Sequence, residues 1–154
     1  MAKRAVRVFL DSNVILSGLI SDKGPPRLIL DILTLGLPFL AGLTGRFNLI
    51  EIERNLKKKA PGALSVLNLY LPKLNLTVIP LPDPDEVRRF SGKVEQKDIP
   101  VLLSALQGKA DFLVIGDKKH FDGIKAMHTY PLRIVSPAEF LEVVLPDIIK
   151  STDH

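Results

Sequence analysis

The sequence predicts an α/β fold: a three-layer α/β/α sandwich with a mostly parallel central sheet. Three observations carry this. The strongest strand candidates, "VRVFL" at 6–10 and "FLVI" at 112–115, are apolar nearly throughout and do not alternate, the pattern of strands buried on both faces. Strand-like runs alternate with segments of helical period along the chain. Finally, 154 residues with no internal repeat, low-complexity tract or linker fit a single domain spanning residues 1–154.

Taken in order, Val6–Leu10 is a β-branched and aromatic run that reads as a buried strand. Asn13–Ile20 and Pro26–Leu35 read as helices, punctuated by Gly24 and two prolines. Leu37–Ala41 is expected as a second strand. Phe47–Lys59 is expected as a helix, because Leu49, Ile52 and Leu56 recur at helical spacing and Lys57, Lys58 and Lys59 suit its C-terminal end. Ala63–Leu74 follows as helix, Leu76–Leu81 as strand and Glu86–Val94 as helix. Ile99–Gln107 is a short helix closed by Gly108, with Asp98 and Pro100 at its mouth. Phe112–Ile115 and Leu132–Val135 complete the strands. Ser136 then opens the last helix, with Pro137 at its first position and Glu139 completing a capping box.

Composition narrows the function classes. Apolar residues make up 46% and charged residues 25%, and no apolar run reaches the length of a membrane span. The N-terminus has a basic start without a signal peptide's apolar core and cleavage site. The absence of cysteine excludes a disulfide framework and thiolate metal sites. A soluble, cytoplasmic protein is therefore expected. The net charge of +4 is compatible with a polyanionic partner without requiring one. There is no G-x-G-x-x-G after the first strand and no phosphate-binding P-loop, so a nucleotide-binding fold is disfavoured.

In open parallel sheets the functional crevice lies beyond the carboxyl ends of the strands. Asp11 follows the first strand, and Asp117 follows "FLVIG". Asp98 precedes a helix, and Glu51 and Glu53 stand on another. Each has an ordinary structural reading as a helix cap, turn residue or solvated helix position. Gathered together, such acids would raise one another's pKa unless a cation neutralised them. Mg²⁺ and Mn²⁺ prefer oxygen ligands of this kind.

On these residues the chain resembles the PIN-domain nucleases, in particular the stand-alone, VapC-like toxins of toxin–antitoxin pairs. "VFLDSNVILSGLI" is similar to the family's opening strand and helix, "FNLIEIERNL" to its glutamate-bearing segment, "KDIPVLLSALQGKADFLVIGDKKHF" to its most specific stretch, and "IVSPAEFLEVV" to its terminal strand and helix. The resemblance implies Mg²⁺- or Mn²⁺-dependent hydrolysis of RNA phosphodiester bonds. It places the catalytic and metal-binding acids at Asp11, Glu51, Asp98 and Asp117, with Asn13 supporting the first aspartate. Family spacing favours Glu51 over Glu53, while its role as ligand, water holder or base stays open. The resemblance also implies an RNA substrate, an antitoxin partner and a homodimer. Lys118 and Lys119 are candidates for nucleic-acid contact through phosphates, or are solvated turn lysines. His120 is read as an exposed turn residue.

The sequence departs from the family pattern in two places. Ile115 stands where a Thr or Ser is usual, and Lys118, Lys119 and His120 follow Asp117 where some members carry a further acid. Ile115 keeps open an alternative, a catalytically weak PIN-like module that binds RNA or protein. A receiver-like domain would need adjacent acids after the first strand, and a dehalogenase-type phosphatase a second Asp where Asn13 stands.

Overall fold

The computed structural model describes residues 4–92, 94–116 and 131–152. Five strands, β1 (Val6–Leu10), β2 (Leu40–Gly45), β3 (Thr77–Ile79), β4 (Phe112–Val114) and β5 (Arg133–Val135), form one sheet in the order β3-β2-β1-β4-β5. Every pairing is parallel, so the expected mostly parallel sheet is wholly so among the described residues. Between them run α1 (Ser12–Ile20), α2 (Pro25–Thr34), α3 (Arg46–Lys59), α4 (Ala63–Tyr70), α5 (Pro84–Arg89) and α6 (Ile99–Gln107), and α7 (Pro137–Thr152) follows β5. No helix among the described residues is long and apolar enough to cross a membrane.

The sheet is covered on both faces because successive residues of its strands serve opposite cores. Val8, Leu10, Phe112 and Val114 join a cluster with α1, α2, α3 and α7, where Phe112 meets Phe140 edge-on with ring centroids 5.3 Å apart. Phe9, Leu43, Leu113 and Ile115 join the other, beneath Val101, Leu102 and Ala105 of α6. That two-sided burial is why these strands carry no polar alternation.

Four elements differ from the expectation by more than one residue, among them β3, which is Thr77–Ile79 within the expected Leu76–Leu81. β2 begins at Leu40, three residues after the expected Leu37, and runs to Gly45, four beyond the expected Ala41. Its two glycines hide it in the sequence, yet Gly42 is required by packing: a Cβ there would lie 2.9 Å from Leu76 and 3.0 Å from Leu33. α5 starts two residues early, because the Asp83 carboxylate accepts the Asp85 N–H and Pro84 supplies a preset first turn, and it ends at Arg89, five residues short of the expected Val94. α4 ends at Tyr70, and Leu71–Leu74 tightens into a 3₁₀ turn around Pro72. The capping box forms as expected: the Ser136 N–H donates to Glu139 Oε1 at 3.0 Å, and the Glu139 N–H donates to Ser136 Oγ at 3.1 Å.

Two acids outside the proposed site have structural partners. At the amino edge of the sheet, Asp111 accepts the Arg7 N–H at 2.8 Å and pairs with Arg4 at 2.5 Å. Asp31 pairs with Arg27 at 3.2 Å along α2.

Candidate active site

The strand order reverses direction between β1 and β4, and their last residues, Leu10 and Val114, are register partners. A parallel sheet opens its crevice at such a switch point, at the carboxyl edge. Four segments bring chemistry to that edge. α1 begins there after β1, and α3 begins there after β2. α6 runs back towards the start of β4, so its first residues stand on the same edge. The chain leaving β4 passes through Ile115 and Gly116, and a Cβ on Gly116 would lie 3.4 Å from that of Asn13.

Asp11 is the first residue past β1 and serves as the N-cap of α1. Its Oδ1 accepts the Ser12 N–H at 2.8 Å and Asn48 Nδ2 at 3.0 Å. Both bonds fall on the same oxygen, so neither uses Oδ2. The choice posed by the sequence between cap and ligand therefore dissolves, since one oxygen can cap while the other takes no part in either bond.

Burial pushes the Asp11 carboxyl up from 3.8 to about 6. That value already includes the negative charges of Glu51 and Asp98, which act in the same direction as burial, and the bonds from Ser12 and Asn48, which oppose the rise. Three of the four expected acids are thus coupled electrostatically across the crevice. Asp98 is 7% exposed and closes a 3₁₀ turn, Gln96–Asp98, ahead of α6. Its side chain makes no capping bond to that helix, so the capping role its sequence suggested is not the one it has. On α3, Glu51 is partly buried and Glu53 exposed, and only Glu51 is felt by Asp11.

The remaining expected residues stand differently. Asn13 is exposed, and the amide that meets the Asp11 carboxylate is that of Asn48. Asn48 is fully buried one helical turn before Glu51, and its Nδ2 also donates to Ser12 Oγ at 2.9 Å. Sequence reasoning missed it, although an asparagine between Phe47 and Leu49 on an otherwise apolar helix face was a usable signal. Ile115 is 1% exposed and packs in the core with Phe9, Leu43 and Leu113. Asp117, Lys118 and Lys119 lie outside the described residues.

The donor set is carboxylate oxygen held by a neutral amide, which suits a hard divalent cation. Among the described residues, however, no group of three Asp, Glu or His side chains is gathered tightly enough to hold an ion by itself. The acids come from separate segments and interact through space across the crevice.

Comparison with known proteins accords with this geometry. The fold is similar to a chain of the VapBC2 complex of Rickettsia felis, whose crystal structure is bound to a DNA fragment from its promoter. The TM-score is 0.62 at 18% identity, over 84% of this chain and 97% of that one. It is also similar to a protein of Pyrobaculum aerophilum, with a TM-score of 0.60 at 15% identity over 91% and 96% of the two chains. A chain of a toxin–antitoxin complex from Klebsiella pneumoniae gives a TM-score of 0.55 at 17% identity, over 84% and 97%. No curated protein sequence matches. A PIN-domain family profile matches residues 7–119, well over half of the chain. By that match, with the all-parallel sheet and the acids at its switch point, the chain belongs to the PIN-domain family.

Proposed function

We propose that this protein is a metal-dependent endoribonuclease. The observation that carries the reading is the Asp11 carboxylate just past β1 at the switch point, its Oδ1 held by the Ser12 N–H and Asn48 Nδ2, with the charges of Glu51 and Asp98 acting on it. Uncompensated, such charges oppose one another and the fold. A function that uses a cation gives them a reason to be there.

Asp11 would offer Oδ2, with Oδ1 held by Ser12 and Asn48. Asp98, Glu51 and, by family resemblance, Asp117 would supply the remaining carboxylates. Mg²⁺ or Mn²⁺ bound there would polarise the scissile phosphate and stabilise the leaving oxygen. Lys118, Lys119 and the exposed Arg46 at the start of α3 would contact backbone phosphates without reading sequence. The likeness to chains of toxin–antitoxin complexes supports an antitoxin as protein partner, and the family resemblance supports a homodimer.

A non-catalytic binding module is the second reading, favoured by the core-packed Ile115 and by the absence of a chelating triad among the described residues. The two are separated by incubating the protein with single-stranded RNA, with and without Mn²⁺, beside Asp11→Asn. Cleavage that requires Mn²⁺ and disappears in the variant supports the nuclease. RNA binding without cleavage at saturating Mn²⁺ supports the module.

A further inference from the structure

We propose that Asn48 is a positioning residue that fixes the Asp11 carboxylate for cation binding, and that Gly45 is glycine because it makes room for the Asn48 amide. The proposal rests on the nuclease reading above and adds two residues, Asn48 and Gly45, that the family resemblance leaves without a role.

The geometry is over-determined. Asn48 is fully buried on α3, and its Nδ2 divides its two hydrogens between Asp11 Oδ1 at 3.0 Å and Ser12 Oγ at 2.9 Å. Ser12, also buried, donates back to the Asn48 carbonyl at 3.4 Å. Turning the amide over would set its oxygen against the carboxylate, so the charge of Asp11 itself dictates which way it faces. The Ser12 N–H and the Asn48 amide together restrain Oδ1 from two directions, which fixes the plane of the carboxylate and leaves Oδ2 free of both.

The type of residue matters as much as the contact. A lysine or arginine at this position would neutralise Asp11 and compete with a cation. A carboxylate would add repulsion at the hydrogen-bonded oxygen. A neutral amide donor orients the acid and leaves its charge for a ligand. The α1 cap does not require this bond, since the Ser12 N–H already satisfies the capping geometry.

Behind the amide, Asn48 Oδ1 is buried without a hydrogen-bond partner and points at the end of β2. A Cβ on Gly45 would lie 2.8 Å from that oxygen and 3.0 Å from Ser104 Oγ of α6. Any side chain at position 45 therefore displaces the amide towards the carboxylate it holds. Leaving a buried amide oxygen unpaired is unfavourable. The amide's other end, tied to Asp11 and Ser12, accounts for its retention.

The test compares wild type with Asn48→Ala, Gly45→Ala and, as a control elsewhere on α3, Asn55→Ala. Mn²⁺ affinity is measured by calorimetry, kcat and KM on RNA are measured separately, and Asp11 is seen in crystals of the metal-free variants. Asn48→Ala is expected to weaken Mn²⁺ binding ten- to a hundredfold. It should lower kcat with KM for RNA within about twofold, and turn the Asp11 carboxylate away from its wild-type plane. Gly45→Ala, which keeps Asn48 in the chain and crowds its amide most closely, with Ser104 next, is expected to shift each readout in the same direction by a smaller factor. It carries the test if Asn48→Ala fails to fold. Asn55→Ala should match wild type. Folded variants with wild-type Mn²⁺ affinity and an unmoved carboxylate overturn the positioning role, while loss of cleavage in Asp11→Asn under the same conditions shows the nuclease reading still standing. A wild type that neither binds Mn²⁺ nor cleaves RNA overturns both.

Discussion

Replacing Asp11 with asparagine should make the metal-free protein more stable while abolishing its activity. Asparagine keeps the side-chain oxygen that accepts the Ser12 N–H and Asn48 Nδ2, so the cap of α1 survives. What it removes is a charge that the metal-free fold does not welcome. The Asp11 carboxyl lies at about 6 in the fold against 3.8 for the free acid, chiefly because the fold desolvates it and then because the charges of Glu51 and Asp98 act on it. At about 1.4 kcal/mol per pH unit, keeping it ionised costs about 3 kcal/mol. Asp11 is only partly buried, and solvent screening brings the expected gain to about 1–2 kcal/mol. In a chain of this size that is a rise in Tm of roughly 3–8 °C.

The pH dependence follows from the same sign. Between about pH 4 and 6 the folded protein retains the proton and the unfolded chain releases it, so the unfolded state binds fewer protons. Asp11's contribution is therefore full below about pH 4 and is lost as pH rises through 6. Thermal melts in chelator across this window should show wild type losing that increment and Asp11→Asn keeping it. Parallel curves, or a variant less stable than wild type at pH 7.5, would refute the electrostatic reasoning.

Other consequences are local. Glu51→Gln should lower cleavage at least tenfold, while Glu53→Gln, exposed on the same helix and not felt by Asp11, should leave it within about twofold in the same RNA assay. Gly18→Ala should destabilise the protein by about 1–2 kcal/mol in chemical denaturation, despite alanine's helical preference. A Cβ there would lie 2.4 Å from Cδ1 of the fully buried Leu30 and 3.1 Å from the Pro26 carbonyl. Ser136→Ala removes one half of the capping box on α7 and should cost about 1 kcal/mol, read as a Tm lowered by a few degrees without loss of Mn²⁺ affinity.

The buried strands and the Ser136 cap could be read from the sequence because each rests on a local pattern: an unbroken apolar run, or a Ser and a Glu three residues apart. Asp11 and Asp98 were visible because they stand where apolar runs stop. β2 lies beyond its expected bounds because "LAGLTG" carries little strand propensity, and Gly42 is explained only by Leu33 and Leu76 packing onto it from elsewhere in the fold. Glu51 and Glu53 flank the same apolar stripe, and only the fold decides which faces the crevice. Asn48 escaped because its role is defined by residues thirty-six and thirty-seven positions away. Local spacing carries no trace of such a contact.

Anomalous diffraction from crystals soaked in Mn²⁺ tests the central claim most directly. The account predicts a manganese peak in the crevice beyond β1 and β4, with Asp11 Oδ2 among its ligands and Asp98 and Glu51 beside it, that vanishes in Asp11→Asn. A saturating soak that leaves that crevice without a peak, or a peak that survives in the variant, would contradict it.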